Sequence, residues 1–397
     1  MIKVAHVATV DLSLRFLLLN QLKSLRDAGY SIAGVSAPGP HVPELEDEDI
    51  RHIPVMLTRS ITPLADLGAL WQLYRVMRRE RFSIVHCHTP KAEFLGQLAA
   101  RLAGVPIVVD TFRGIYDRTG TSRLKRRMLV AMARLAASCA DLVLCQSREA
   151  METMVRENFC NPGRIALLGN GIDIRQFDRA RLSVSALDAA RKELGLVSSK
   201  PVVGFVGRLV REKGILDLLG AMSLVRAQVP DAQLLVVGPM DTEKPDAVTP
   251  AIAGEFGLDG GCVFAGLRTD MPVLYGLMDV FVLPSSREGF PRAPMEASAM
   301  GVPCIVTDIP GCREAVEHGR NGLLVPVGSP TALSSAIAMV LTHKDVAGRM
   351  GLAGRQKAVE CFDEERVFAI VKAAYSRLLA EKGIVLPQWS GPAVHVA

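Results

Sequence analysis

Two positively charged side chains stand in a glycine-bounded loop in the second half of the chain. Residues 201–207 form a short apolar segment typical of a buried strand, and the loop GRLVREKG runs from Gly207 to Gly214. Arg208 and Lys213 would lie between a strand end and the start of a helix, where backbone N–H groups and the helix dipole favour an anion. This combination suits a diphosphate. The segment alone leaves an alternative open, namely an ordinary strand-to-helix loop with solvated basic residues.

Two carboxylates frame a second loop further along. The segment REGFPRAPME begins at Arg287 and follows the apolar run DVFVLP. Gly289 and Pro291 would make an irregular turn that presents backbone N–H groups, and Glu296 would lie in the first turn of the next helix. Glu288 and Glu296 could then accept hydrogen bonds from separate hydroxyls of one sugar nucleotide. The alternative is a helix-capping carboxylate and an unrelated surface carboxylate.

The elements that must position these loops alternate between strands and helices. Strands are predicted at 2–8, 31–37, 83–88, 106–111, 141–146, 165–168, 201–207, 232–238, 261–265, 279–284, 302–307 and 322–326. These runs are continuously apolar, as expected for parallel strands covered on both faces. Because the alternation occurs twice, we predict an α/β protein of two Rossmann-like, doubly wound domains, in which ligands bind at the carboxyl ends of the strands.

Domain boundaries follow from a polar, weakly patterned connection over 175–200. We predict a first domain over 1–180 and a second over 181–362. A final helix, at about 363–381, is predicted to pack back on the first domain. Facing domains would place a ligand site in the cleft between them.

Four segments together resemble the retaining glycosyltransferases of family 4. They are SIVHCHTPKAEFLGQLAARLAGVPIVV, GNGIDIRQF, GRLVREKG and REGFPRAPMEASAMGVPCIVTDIPGCREAVEHGRNGLLVP, in that order along most of the chain. The resemblance implies the GT-B fold, with an acceptor-binding first domain and a nucleotide-sugar-binding second domain. It does not specify the donor or the acceptor.

The resemblance also implies roles for residues of the second domain. Arg208 and Lys213, with the backbone at Gly207, would hold the donor diphosphate, and Glu296 would hold the ribose hydroxyls. The transferred sugar would be bound by a second group, namely Glu288, Gly289, Phe290 and Pro291. Leu267 and Arg268 would border the base. We expect Arg208, Lys213 and Glu288 to be catalytic, together with Arg113 of the first domain.

We expect no metal and no cofactor at this site. The family needs no metal for the leaving diphosphate, since two cations can neutralise its developing charge. His86 and His88 lie two positions apart at a predicted strand end, but the sequence shows no third ligand nearby, so strand-end hydrogen bonding is the favoured interpretation. The donor is expected to be a nucleoside diphosphate sugar, UDP-linked.

The first domain departs from the family pattern at two places. Arg113 stands where the resemblance leads us to expect a histidine, and an arginine cannot act as a neutral acceptor or general base. It could instead hold a phosphate or an acidic sugar, or pair with Asp110 or Asp117 as a loop residue. The first loop lacks the family's double glycine, and it resembles that of a branch involved in surface-polysaccharide assembly.

Three further residues are expected to border the acceptor. Asp11 and Arg15 belong to the first loop, and Lys91 follows the second histidine of the HCH sequence as a possible contact for an acceptor phosphate. An outward-facing arginine on the first helix remains the alternative for Arg15.

Charge is distributed unevenly over the 397 residues. Residues 1–180 contain 24 Lys and Arg against 18 Asp and Glu, a net of +6, and the remainder has a net of −1. A basic amphipathic segment from Arg118 to Arg134 could rest on an anionic membrane surface, or it could be a solvated outer face. No apolar run reaches the length of a membrane-spanning helix, so we expect a cytoplasmic protein, peripheral on the inner face of the membrane.

Composition excludes other classes. Half of the residues are hydrophobic (49%) and 22% are charged, which is typical of a globular protein. The aromatic content of 5% argues against a protein that stacks single-stranded nucleic acid. The eight cysteines form no CxxC pair, which indicates reduced core thiols.

The predicted activity is transfer of a hexose or N-acetylhexosamine to a lipid-linked saccharide in surface-polysaccharide or cell-wall assembly. Two alternatives stay open. A sugar-nucleotide 2-epimerase uses the same two-domain fold, and a non-catalytic nucleotide-sugar-binding subunit would account for Arg113.

Overall fold

The computed structural model describes residues 1–60, 62–113, 123–240 and 246–384. The chain divides into two compact units. The first comprises Met1–Gly169 and the chain from Arg366 onward, and the second comprises Asn170–Glu365.

The first unit contains a seven-stranded parallel sheet in the order β3-β2-β1-β4-β5-β6-β7. The strands are β1 (Lys3–Val10), β2 (Ser31–Ala37), β3 (Arg51–Pro54), β4 (Ile84–Cys87), β5 (Ile107–Phe112), β6 (Leu142–Cys145) and β7 (Ile165–Leu167). Alternate side chains of β1 enter cores on opposite faces, Val4 on one side and Ala5 on the other. The predicted doubly wound sheet is therefore confirmed for this unit.

The helices of the first unit cover both faces of its sheet. They are α1 (Asp11–Ser13), a π-helical turn (Leu14–Leu18), α2 (Leu19–Asp27), α3 (Val42–Glu46), α4 (Pro63–Glu80), α5 (Pro90–Ala103), α6 (Arg123–Cys139) and α7 (Arg148–Arg156). A 3-10 turn, Pro162–Arg164, precedes β7. The π-helical turn joins α1 directly to α2, so the backbone is helical from Asp11 to Asp27.

The second unit contains a six-stranded parallel sheet in the order β10-β9-β8-β11-β12-β13. Its strands are β8 (Val202–Val206), β9 (Gln233–Val237), β10 (Cys262–Gly266), β11 (Val280–Leu283), β12 (Cys304–Thr307) and β13 (Gly322–Val325). Its helices are α8 (Val184–Glu193), α9 (Ile215–Gln228), α10 (Met271–Gly276), α11 (Arg292–Ala299), α12 (Cys312–Ala315), α13 (Pro330–Thr342) and α14 (Lys344–Cys361). Three segments, Arg179–Arg181, Arg211–Lys213 and Pro250–Phe256, are 3-10 helices.

The last helix, α15 (Glu364–Glu381), returns to the first unit. Val371, Tyr375 and Leu378 recur at helical spacing and are buried in the core of that unit. The domain boundary predicted from the sequence, between residues 180 and 181, lies eleven residues beyond the boundary in the structure, between residues 169 and 170. The reason is Ile172, whose backbone N–H donates to Phe362 O at 2.8 Å and whose side chain is fully buried in the core of the second unit.

Two elements of the first unit were missed from the sequence. Strand β3 is only four residues long, and α3 contains the start of an acidic stretch. Leu45 anchors α3 to the core because its side chain is fully buried.

Candidate functional site

Lys213 and Glu288 form an ion pair in the second unit. Nζ of Lys213 lies 2.6 Å from Oε1 of Glu288, and the hydroxyl of Ser285 donates to the same oxygen at 2.7 Å. Strands β8 and β11 are neighbours in the sheet, so the loops that leave their carboxyl ends meet. Two residues selected from separate sequence motifs are thus brought into direct contact.

A glycine allows these two loops to approach each other. Gly214 has a φ of +72°, and a Cβ at this position would lie 2.0 Å from Pro284 O. Gly214 also precedes α9, whose first backbone N–H groups point back toward the loop. The sequence GRLVREKG therefore ends in a position that only glycine fills without strain.

Arg208 lies in a charged group with Glu212 and Arg287. Arg208 Nη2 is 3.2 Å from Glu212 Oε1, and Arg287 Nη2 is 3.1 Å from Glu212 Oε2. One carboxylate thus holds two arginines at the end of the loop that starts at Gly207. Together with Lys213, these two arginines place three cations around the carboxylates of Glu212 and Glu288.

Glu296 is the fifth residue of α11 and lies in its second turn, so the predicted first-turn position is wrong: the helix begins at Arg292, before Pro294. Its Oε2 accepts a hydrogen bond of 2.8 Å from the hydroxyl of Tyr275, a fully buried residue of α10. Burial raises the pKa of Glu296 above the usual carboxyl range, while the Arg292 guanidinium and the Tyr275 hydroxyl act in the opposite direction. The hydrogen bond from Tyr275 holds the carboxylate in one orientation.

The turn between the two carboxylates is fixed from its backbone. Phe290 O accepts a hydrogen bond of 2.7 Å from Asn170 Nδ2. Gly311, at a φ of +79°, packs so closely that a Cβ would lie 1.9 Å from Gly289 O. Pro291 is buried and caps α11. These contacts fix the turn through its carbonyl groups, and the expectation that it presents backbone N–H groups stays a prediction.

Leu267 and Arg268 follow β10 and differ in accessibility. Leu267 is 63% exposed. Arg268 is held between Asp270, at 2.7 Å, and Glu193, and the hydrogen bonds to these carboxylates raise its pKa above the ordinary arginine value. Leu267 is therefore the residue of this pair whose side chain is accessible to a ligand.

In the first unit, Asp11 and Arg15 occupy the π-interrupted helix that follows β1. Asp11 is buried, and its Oδ2 accepts a hydrogen bond of 2.8 Å from the backbone N–H of His41. Arg15 Nε lies 2.5 Å from Glu44 Oε2, and Glu44 also contacts His41 Nδ1 at 2.8 Å. Both side chains therefore order the segment that leads into α3.

Lys91 at the N-terminus of α5 is bound by the segment that precedes α4. Its Nζ is 2.6 Å from Asp66 Oδ1 and 2.7 Å from Thr58 Oγ1, and it also donates to Ser60 O. Binding an acceptor phosphate would require Lys91 to leave this pair.

Arg113 extends from the carboxyl end of β5 beside two buried acids. Its Nε donates to His88 O at 3.0 Å. Burial raises the pKa of Asp110 to about 7 and raises the pKa of Glu93 well above the usual range, while the charge of Arg113 opposes both shifts. Asp117, the other partner considered for Arg113, lies outside the described residues.

Three buried histidines meet between the middle of β1 and the carboxyl end of β4. His6 Nδ1 lies 2.8 Å from His88 Nε2, and His86 contacts the Tyr375 hydroxyl and Thr111 Oγ1, each at 2.7 Å. Their ligand atoms all lie within 4.8 Å of one another. The expectation that His86 and His88 have no third potential ligand nearby was wrong, because strand pairing sets His6 opposite His86.

This cluster was missed because its members are far apart in sequence. No sequence motif surrounds Tyr375. For His6, the only sequence feature that could have indicated the cluster is its position as an isolated histidine on the predicted first strand. Burial lowers the pKa of His6 to about 3 and lowers the pKa values of His86 and His88 well below 6.5. The buried imidazoles are therefore neutral, and Nδ1 of His88 has no hydrogen-bond partner among the described residues.

The basic segment from Arg118 to Arg134 falls partly outside the described residues, which resume at Arg123. Arg134, near the middle of α6, donates to Glu157 O at 2.8 Å and lies 6.0 Å from the ring of Phe159. Across the described ranges, no helix combines the length and apolarity needed to cross a bilayer.

Models of two domain families match the chain. Residues 17–171 match the glycosyl transferase 4-like domain, and residues 200–343 match the glycosyl transferases group 1. The two matches fall on the first and the second unit, respectively.

Sequence relatives cover nearly the whole chain. It is 29% identical to the UDP-Gal:alpha-D-GlcNAc-diphosphoundecaprenol alpha-1,3-galactosyltransferase of Escherichia coli over 96% of this chain and 98% of the relative. It is 28% identical to the capsular polysaccharide biosynthesis glycosyltransferase CapM of Staphylococcus aureus, with the same coverage. It is 30% identical to a GDP-mannose-dependent alpha-mannosyltransferase of Mycolicibacterium smegmatis over 86% of this chain and 87% of the relative.

A solved structure shows the same fold. HepE from Anabaena, crystallised with UDP and glucose, aligns with a TM-score of 0.81 over 95% of this chain and 100% of its own, at 22% identity. Two parallel-sheet α/β units with this neighbour define a GT-B protein, and the loops GRLVREKG and REGFPRAPME lie in its second unit. The chain belongs to the family 4 glycosyltransferases and is an enzyme of the hexosyltransferase class.

Proposed function

We propose that this enzyme transfers a hexose or N-acetylhexosamine from a UDP-linked sugar to a lipid-linked saccharide, with retention of the anomeric configuration. The Lys213–Glu288 pair carries the proposal, since it joins a diphosphate-type loop to a sugar-type loop at adjoining strand ends. The Escherichia coli relative uses UDP-Gal and a diphosphoundecaprenol-linked acceptor, and the Anabaena structure contains UDP. CapM acts in capsular polysaccharide biosynthesis, which supports a role in surface-polysaccharide assembly.

On the donor side, the diphosphate would replace Glu288 as a partner of Lys213. Lys213 and Arg208 would then neutralise the charge that develops on the leaving diphosphate, so that no metal or cofactor is required. Glu288 would be released to accept hydroxyls of the transferred sugar, beside the backbone of Gly289 and Phe290. Glu296 would accept the ribose hydroxyls from the orientation that Tyr275 imposes.

The base would lie against Leu267, the exposed member of its loop. Pro291 and Gly207 would contribute through backbone shape, and Arg268 would act through the geometry of its carboxylate partners rather than by direct contact.

On the acceptor side, Arg113 is the proposed contact for a phosphate or acidic group. Its Nε donates to His88 O, and the planar guanidinium matches a phosphate or carboxylate in a bidentate contact. Asp11, Arg15 and Lys91 lie at the carboxyl ends of β1 and β4, where ligands of parallel sheets bind. The enzyme would work as a peripheral protein at the cytoplasmic face of the membrane, where lipid-linked acceptors are accessible.

The epimerase alternative is not favoured, because the relatives that cover the whole chain are transferases. A non-catalytic subunit would bind donor without turnover, which the following assay separates.

Calorimetric titration with UDP, UDP-galactose, UDP-glucose, UDP-N-acetylglucosamine and GDP-mannose should show a preference for one uridine nucleotide sugar. Incubation of that donor with diphosphoundecaprenol-linked N-acetylglucosamine should then give a product one sugar longer. Donor binding without transfer to any lipid-linked saccharide would favour the non-catalytic subunit, and preference for a GDP sugar would refute the uridine assignment.

A further inference from the structure

Helix α4 (Pro63–Glu80) exposes apolar side chains to solvent along its N-terminal half. Its inner side is buried through Ala69, Leu73 and Met77 in the core beneath the sheet. The opposite side of a surface helix in a soluble protein is normally polar. Here two of its leucines, Leu64 and Leu67, are 87% and 64% exposed.

The exposed residues form a line along the helix, which we call the outer stripe: Leu64, Leu67, Trp71, Arg75 and Arg78. Spacings of three, four, four and three residues keep these side chains within about 80° of arc on a helix of 3.6 residues per turn. Trp71 is 58% exposed. The first half of the outer stripe is thus apolar and the second half is basic.

The charges on α4 make the outer stripe positive. The guanidinium of Arg75 lies 4.5 Å from the centroid of the Trp71 ring. The two acids of the helix are both engaged elsewhere, Asp66 by Lys91 at 2.6 Å and Glu80 by Arg51 at 2.8 Å. No acidic side chain therefore lies on the outer stripe to repel an anionic surface.

The apolar end of the outer stripe lies at the edge of the sheet that carries the acceptor-side residues. Helix α4 starts after β3, so its N-terminus lies at the carboxyl edge of the parallel strands. Lys91 joins this N-terminus to the end of β4 through Asp66 and Thr58. Met56, between β3 and α4, is 61% exposed at the same edge.

We infer that the outer stripe is a membrane-docking surface, with Leu64, Leu67 and Trp71 inserted at the interface of an anionic bilayer. An amphipathic helix with aromatic and basic residues on one side is suited to the lipid headgroup region, where tryptophan rings concentrate. Arg75 and Arg78 would contact anionic headgroups, and screening by salt would weaken this attraction. The inference rests on the proposed function for its biological purpose, since docking there would bring the acceptor edge to a lipid-linked substrate.

Trp71 itself reports on the inference. The chain has two tryptophans, so Trp389→Phe leaves Trp71 as the sole indole. Vesicles of phosphatidylcholine with phosphatidylglycerol, free of any lipid-linked saccharide, should shift the Trp71 emission to shorter wavelength. Bromine-labelled lipids should quench it. An unchanged spectrum that such lipids do not quench would overturn the inference.

Vesicle flotation with matched variants provides a second test. Leu64→Ser/Leu67→Ser should weaken binding to these vesicles by tenfold or more without a change in Tm, because neither leucine is buried. Leu352→Ser, at a position 75% exposed on α14 of the second unit, should bind like the wild type. Equal binding by both variants would contradict insertion by the outer stripe.

Arg75→Gln/Arg78→Gln tests the electrostatic part. It should remove the preference for phosphatidylglycerol over phosphatidylcholine alone and flatten the dependence on salt. A wild-type protein that ignores vesicles but dimerises in sedimentation, and that becomes monomeric in Leu64→Ser/Leu67→Ser, would overturn the inference in favour of a second copy on the same surface.

Failure of the membrane inference can be separated from failure of the proposed function. Donor binding by calorimetry needs no vesicle, and it should be equal in wild type and outer-stripe variants. Loss of vesicle binding with intact donor binding supports the docking surface. Intact vesicle binding in a protein that binds no nucleotide sugar would sink the proposed function alone.

Discussion

Nζ of Lys213 lies 2.6 Å from Oε1 of Glu288, although 75 positions separate the two residues in sequence. The pair joins two groups that are proposed to bind different parts of a nucleotide sugar. In the absence of ligand, it keeps a largely buried carboxylate from being left unpaired, which would be costly. When the donor binds, its diphosphate would replace the Glu288 carboxylate as the partner of Lys213.

Removal of the lysine should therefore affect turnover more than folding. We expect Lys213→Ala to lower kcat/KM by about 10²–10³-fold, the effect of losing one preorganised donor to a transition-state anion. Lys357→Ala is a matched control, because Lys357 forms an ion pair of 2.9 Å with Glu317 in the same unit. Steady-state kinetics would measure both, and near-wild-type turnover in Lys213→Ala would remove this residue from the site.

Glu296 should give donor binding a pH dependence. Burial raises its pKa, so the carboxylate takes up a proton at a higher pH than an exposed glutamate would. Since only the ionised form is a pure acceptor for the ribose hydroxyls, donor affinity should fall as the pH falls through the pKa of Glu296.

Glu296→Gln should bind donor weakly with little of this pH dependence, and Tyr275→Phe should weaken binding by about fivefold through loss of one hydrogen bond of roughly 1 kcal/mol. Calorimetry between pH 5 and pH 8 would measure the affinities. A wild-type pH profile in Glu296→Gln would assign the titration to another group.

Arg113 should act on the acceptor rather than on the donor. We expect Arg113→Ala to raise the KM for the lipid-linked acceptor while donor affinity stays unchanged, because the guanidinium belongs to the first unit. Arg113→His restores the residue that the family resemblance leads us to expect. Unchanged acceptor kinetics in Arg113→Ala would show that Arg113 has no ligand role. Arg101→Ala, which breaks a pair of 2.9 Å with Asp141 in the same unit, serves as the control.

Gly214 should be irreplaceable on steric grounds. Gly214→Ala would combine an αL conformation with a contact of 2.0 Å to Pro284 O, for a destabilisation of about 3 kcal/mol or more. Gly257→Ala has a similar φ of +66° but no atom within 4 Å of its Cβ, so about 1 kcal/mol is expected. Urea unfolding followed by circular dichroism would compare the two. Equal midpoints would mean that the loop moves aside at little cost.

The histidine cluster should make stability fall with acid. The pKa of His6 is lowered to about 3, and those of His86 and His88 are also lowered, so the folded protein binds fewer protons below pH 6.5 than the unfolded chain. Stability from these groups is complete above pH 6.5. It falls by about 1.4 kcal/mol per pH unit below that value for each histidine that stays neutral.

Urea midpoints at pH 7.5 and pH 5 should therefore differ less in His6→Gln than in wild type. His343→Gln, at an exposed position, should keep the wild-type difference. Tyr375→Phe should lower stability by about 1–2 kcal/mol at pH 7.5, since the buried His86 nitrogen loses its hydroxyl partner. An identical pH difference in wild type and His6→Gln would exclude His6 as a source of the acid sensitivity.

The sequence by itself determined the local features of this protein. Continuous apolar runs separated by helical patterns indicated two parallel α/β units, and the spacing of GRLVREKG and REGFPRAPME selected Lys213, Glu288 and Glu296. These features are local, because a strand, a glycine-bounded loop and the start of a helix are each encoded within about ten residues.

Only the tertiary structure decided which distant residues meet. Strand β1 lies between β2 and β4, an order that no local pattern specifies, and it sets His6 opposite His86. The return of α15 adds Tyr375 to the same cluster. The sequence of α4 is apolar on more than one side, so the exposure of Trp71 depended on which side the sheet covered. Burial is a property of the packed units, and it changes the pKa of a histidine or turns a leucine into a surface contact.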